Sequence, residues 1–135
     1  RSEFNEPMDG IVYGVVVSLG FATYENYDYV FRLAETWEIA PQQLAIWRSY
    51  SAVPMHGLNG CIMGFYFGMY AFTSNKKYLI LSLLMPFLLH GFYNFLDHTL
   101  HLLVVMGMLA YAIVLHSNLK KLQLKKKIEN ESLKI

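Results

Sequence analysis

Two things are scarce in this chain of 135 residues: cysteine and charge. A single cysteine, Cys61, rules out any internal disulfide and leaves the redox compartment open. Asp, Glu, Lys and Arg make up only 16% of the residues and nearly cancel, at a net +1, so the overall charge selects no class of partner. The chain also lacks an initiator methionine, starting at Arg1, and no signal peptide precedes its first apolar stretch. It therefore reads as a fragment or processed product of something longer. What is present instead is apolar: 55% of residues are hydrophobic and 16% aromatic. That is too apolar for an ordinary soluble domain of this size, and the apolar residues come in blocks long enough to be membrane spans.

Four such blocks are expected as spans, at about 11–31, 52–73, 78–95 and 100–115. The expected fold is all-α, a polytopic transmembrane helix bundle with one short interfacial helix. Residues 1–116 form the helical domain and residues 117–135 a basic tail. Pro7 and Asp9 suit the first turn of the first span. Between the first two spans, Ala40-Pro41 marks a helix boundary, and residues 41–49 read as a helix lying at the headgroup level with Trp37, Trp47 and Tyr50 nearby. Pro86 is a candidate kink in the third span. In the tail, Lys120, Lys121, Lys125, Lys126 and Lys127 alternate with leucines, as in a short amphipathic helix on an anionic membrane surface. Nucleic acid is set aside as a partner of this run, because lysines beside a span follow from topology alone.

Small residues recur every fourth position in the first span (Gly10, Gly14, Ser18, Ala22) and, in line with His56, in the second (Gly60, Gly64, Gly68). Each set makes one helix face, and such ridges let two helices approach closely. Glu25 and Phe21 extend the side of the first ridge, and His56 heads the second. His90 and Asn94, four apart, share a face of the third span. An ionisable residue inside a span is expensive and points to function. The plainer alternatives are a Glu25 that reaches water at the helix end and histidines that each bond a neighbouring helix.

The positive-inside rule places the lysine tail in the cytoplasm, with Lys76 and Lys77 on the same side and the loop carrying Arg32 and Arg48 outside. Counting from the cytoplasmic end at about 1.5 Å per residue, Glu25 stands roughly 21 Å up, His90 roughly 18 Å, Asn94 roughly 24 Å and His56 roughly 25 Å. Isolated polar residues would have no reason to agree in depth. Two imidazoles and a carboxylate at one level suit a zinc site with an open position for water, with Glu25, His56 and His90 as ligands. They equally suit a metal-free site in which the acid activates water and histidine and asparagine stabilise an oxyanion. Two rival readings use the same residues: a bis-histidine haem site, and a non-catalytic proton relay or partner-binding surface.

The runs NEPMDGIVYG and GFATYEN, His56-Gly57 ahead of a glycine-rich span, and His90-Gly91-Phe92-Tyr93-Asn94 together resemble the PrsW family of intramembrane proteases, kin of the CAAX prenyl proteases and of bacteriocin-processing membrane proteases. The resemblance extends over about residues 4–95. It implies a multi-pass membrane endopeptidase of metallo or glutamic type, in the cell membrane, that cuts a membrane-anchored protein such as an anti-sigma factor. It implies that Phe21 and Glu25 match an FxxxE element, His56 the first histidine, and His90 with Asn94 the last HxxxN/D element, so that Glu25, His56, His90 and Asn94 are the expected catalytic residues. It also implies a paired-glutamate motif, EExxK or similar, on an upstream helix. No such pair occurs here, since Glu3 and Glu6 are not adjacent. The upstream part of the same protein is then an expected partner of this one.

Overall fold

A computed structural model describes residues 4–132, without the side chains of residues 98, 126, 127, 129 and 130. Helix α1, Pro7–Asp28, starts where proline occupies the first turn and the Asp9 carboxylate accepts the backbone N–H groups of Asn5 and Glu6, both at 2.9 Å. After Asp28 the chain winds into a wider π-helical turn, Tyr29–Leu33, then a single turn, Ala34–Thr36. It reverses near Glu38, whose φ is 55°. Helix α2, Pro41–Tyr50, leads into α3, Ala52–Thr73, which ends at Ser74 in the left-handed conformation with φ 56°. Asn75 caps α4, Lys76–Phe95, by accepting the Lys77 N–H at 3.0 Å. A 3₁₀ turn, His98–Leu100, precedes α5, His101–Ser132. No strand occurs among the described residues.

The second expected span coincides with α3, and the third lies inside α4, which runs through Pro86 without ending. The fourth differs. Instead of a span followed by a separate tail helix, α5 is continuous. No glycine or proline interrupts the sequence between Met108 and Ser132, and lysine and leucine are both good helix formers. Leu119 in this extension is fully buried, and the Gln123 amide donates to the Glu6 carboxylate at 2.9 Å. The extension thus packs back on the entrance of α1. Residues 133–135 of the tail lie outside the described residues.

Among the described residues, two helices are long and apolar enough to cross a membrane, Lys76–Phe95 and His101–Lys125. Helices α1 and α3 have 22 residues each and reach roughly 33 Å, a sufficient length. They are less apolar because they carry the glycine ridges and the polar groups. The outer faces of the bundle are nonetheless apolar: Val16, Val17 and Phe21 on α1, Leu83 and Phe87 on α4, and Leu102, Leu103 and Met106 on α5 are all exposed. A soluble bundle would hide such residues, whereas hydrocarbon solvates them.

Helix α3 is the hub and touches α1, α2, α4 and α5. Against α1 the two small-residue ridges interlock. A Cβ on Gly10 would strike the Gly64 carbonyl, one on Gly14 the Gly60 carbonyl, and one on Gly64 the Gly10 carbonyl. The obstacles are backbone, so only glycine permits this separation. One turn further along, the Ser18 hydroxyl donates to the His56 carbonyl at 2.6 Å, and Ala22 is buried. The other side of α3 carries Met55, Ile62 and Tyr66 into a core shared with Tyr93 of α4 and Val105, Met108 and Leu119 of α5. The Tyr66 hydroxyl pairs there with that of Tyr111. Asn59 shares this side and is 4% exposed. Its amide contacts the Met55 sulfur at 3.3 Å, and its carbonyl oxygen has no hydrogen-bond partner among the described residues.

Candidate metal centre

The interlocked ridges fix the height of α1 against α3, and that height decides which side chains meet. Glu25 lies one turn beyond Ala22, and His56 stands in the second turn of α3. The Glu25 Oε2 is 3.1 Å from the His56 Nε2. Helix α4 supplies His90, whose Nε2 is 3.5 Å from the other oxygen, Oε1. The carboxylate therefore lies between two imidazoles whose ring centroids are 5.0 Å apart. His56 is 2% exposed, while Glu25 and His90 are partly buried. Phe21, one turn before Glu25, presents its ring edge-on to both imidazoles, at 5.5 and 6.2 Å between centroids.

Glu25, His56 and His90, expected on one level, are thus brought together from three helices. Asn94 is placed differently. It is exposed, and its amide nitrogen is 3.4 Å from the His90 Nε2, beyond the usual hydrogen-bond range. It flanks the cluster rather than joining it.

Sequence reasoning missed a fourth member, Arg48, reading it only as a charge of the outer loop. Its Nη2 donates to the Glu25 Oε2 at 2.5 Å, its Nε donates to the Asn26 side-chain oxygen at 2.5 Å, and its guanidinium lies 3.7 Å over the Tyr29 ring. Only 9% of Arg48 is exposed. A buried cation needs a carboxylate partner, and the first span offers Glu25. The signal available beforehand was register: Arg48 is four residues after Leu44 on a short amphipathic helix, and both lie on the buried face. The three contacts from residues 25, 26 and 29 bracket the point where α1 changes to the wider π turn, a deviation often found at functional sites.

The donor set fits a zinc ion. The donor atoms of the three residues all lie within 4.8 Å of one another. Around tetrahedral zinc, with bonds of about 2.0–2.2 Å, ligand atoms stand roughly 3.5 Å apart, so small side-chain rotations suffice. Two nitrogens and one oxygen leave a fourth position open, as in catalytic rather than structural sites. Arg48 donates to the carboxylate and orients it, as the outer hydrogen-bond partners of metal-binding carboxylates do. A haem sandwiched by the two histidines finds no support, because the two rings meet each other edge to face, 5.0 Å between centroids, and leave no room for a porphyrin plane between them. Nothing in the geometry or the comparisons favours a proton relay.

Residues 1–117 match the family described as PrsW family intramembrane metalloprotease. Similar curated proteins include Protease PrsW of Clostridioides difficile (strain 630), 36% identical over 140 residues that cover all of this chain and 56% of the relative. Protease PrsW of Geobacillus kaustophilus (strain HTA426) is 50% identical over 98 residues, covering 71% of this chain and 40% of the relative. Protease PrsW of Bacillus subtilis (strain 168) is 45% identical over 99 residues, covering 71% and 42%. The chain spans about half the length of the curated relatives it matches. No solved structure matches it.

Proposed function

This chain belongs to the PrsW family of intramembrane metalloproteases, and on that premise we propose that it carries the metal-binding part of a membrane endopeptidase that cleaves a membrane-anchored protein. The observation that carries this reading is the meeting of Glu25, His56 and His90 within 4.8 Å from three different helices. These three residues would hold a zinc ion, which when bound supplies a Lewis acid for the scissile carbonyl and a water acidified to near neutrality. Arg48 pairs with Glu25 and fixes its orientation. Phe21 packs against both imidazoles and restricts their rotation. Asn94 flanks His90 with an amide N–H able to donate to a carbonyl oxygen as it gains negative charge.

The substrate in this reading is a protein with a single span, such as an anti-sigma factor, cut near its entry into the membrane. The chain sits in the cell membrane with four spans and its lysine-rich end in the cytoplasm, which places the cluster in the outer half of the bilayer. The glutamate pair implied by the family resemblance would come from sequence preceding this chain in the whole protein.

The test is cleavage of a tagged single-span substrate in cells by the whole protein. Glu25→Gln, His56→Ala and His90→Ala should each lower cleavage at least a hundredfold at equal protein level. Wild-type cleavage in all three would remove the proposal.

A further inference from the structure

Beside the cluster, a cavity of about 480 Å³ opens at the end of the bundle where the π turn, α2, the end of α4 and the start of α5 meet. Arg48 and Asn94 tie the two places together: both line the cavity, while Arg48 donates to Glu25 and Asn94 flanks His90. The rings of Tyr29, Trp37, Trp47 and Tyr93 form one part of the remaining wall, and Asp97 and His101 give it a polar side. The Tyr93 ring is held by stacking on His101 at 3.9 Å between centroids, and Tyr29 lies under the Arg48 guanidinium. Tyr29 is thus held by the same arginine that pairs with Glu25.

Resting on the peptidase reading, we infer that this cavity is the subsite for the substrate residue beside the scissile bond, and that it selects a large aromatic or aliphatic side chain on an extended segment at the membrane surface. Three features lead there. The volume lies within the 300–1,000 Å³ of ligand pockets and exceeds what a small side chain would fill. Tyrosine and tryptophan walls favour an apolar side chain while tolerating a hydrated entrance. The cavity is bounded by turns and by the short helix α2, which in the proposed topology is the level where a membrane-anchored protein leaves its span and its backbone is free to extend. Arg48 is already paired with Glu25 and Asn26, so it forms a floor rather than an attractor for acidic side chains.

The experiment uses the whole protein in proteoliposomes with single-span substrates that differ at residues flanking the cleaved bond. Wild type should cleave substrates with Trp, Phe or Leu at one flanking position about tenfold faster, in kcat/KM, than the same substrate with Ala or Asp. Leu44→Trp, which narrows the cavity, should reverse that ratio. Trp47→Ala, at a residue that is half exposed, should flatten it and remains informative should the Leu44 variant not fold. A readout independent of cleavage uses Glu25→Gln protein and a substrate carrying benzophenylalanine at the same position. Crosslinks should fall on α2 and near Tyr93, and Leu44→Trp should abolish them. Crosslinking there without cleavage by wild type would support the pocket and defeat the peptidase reading. Cleavage with no dependence on side-chain size, or crosslinks only elsewhere, would overturn the pocket.

Discussion

Removing the cation from Glu25 is the perturbation whose outcome the structure fixes most tightly. The Arg48 side chain is 11% exposed and that of Glu25 17% exposed, and they meet at 2.5 Å. Two unit charges about 4 Å apart interact by about 4 kcal/mol at an effective dielectric of about 20. Truncating one member of a buried pair typically costs about 3–5 kcal/mol, because the other charge is left unpaired. Residual exposure of both groups puts the expected loss for Arg48→Ala near 3 kcal/mol. Arg48→Lys keeps the charge but not the fork that reaches Asn26 and Glu25 together or the planar stack on Tyr29, so a loss of about 1–2 kcal/mol follows. Glu25→Gln removes the charge that Arg48 answers. The double variant should then be less destabilised than the sum of the two singles by about 2 kcal/mol or more. Reversible unfolding in mixed micelles, followed by helical circular dichroism, measures all four corners of the cycle. Additivity within about 0.5 kcal/mol would show that the two side chains do not act as a pair and would refute the reasoning.

The glycines give a contrast. Gly14→Ala and Gly64→Ala place a Cβ on backbone of the facing helix and should each lower stability by about 3 kcal/mol, whereas Gly20→Ala and Gly107→Ala, with nothing within 4 Å, should raise it by up to about 1 kcal/mol. Equal melting temperatures across the four would contradict the close packing of α1 on α3. Asn59→Leu removes a buried oxygen that has no partner among the described residues, at similar volume, and should raise stability by about 1 kcal/mol in the same unfolding assay, while a loss above about 2 kcal/mol would mean that the oxygen is satisfied.

The meeting of Glu25, His56 and His90 was legible because membrane helices obey two simple rules. Four-residue spacing told which face of α1 and α3 would meet, and Gly10, Gly14, Gly60 and Gly64 do meet. Rise per residue told that Glu25, His56 and His90 would share a level. Neither rule covers segments outside the spans. Arg48 escaped because loop arginines are ordinarily read as topology markers, and its burial depends on how the π turn and Ala34–Thr36 fold α2 back over the end of α1. Four-residue spacing likewise put Asn94 on the His90 face, and its amide does lie beside the His90 ring, at 3.4 Å, flanking the three residues that meet. The joined tail of α5 was lost to a change in composition without any helix-breaking residue.

Cobalt titration of the purified whole protein tests the central claim most directly, since tetrahedral cobalt absorbs strongly in the visible and reports its ligands. One equivalent should give an intense tetrahedral spectrum that zinc displaces, and Glu25→Gln, His56→Gln and His90→Gln should each alter or abolish it. A spectrum that survives unchanged in any one of the three would mean that these side chains do not share a metal.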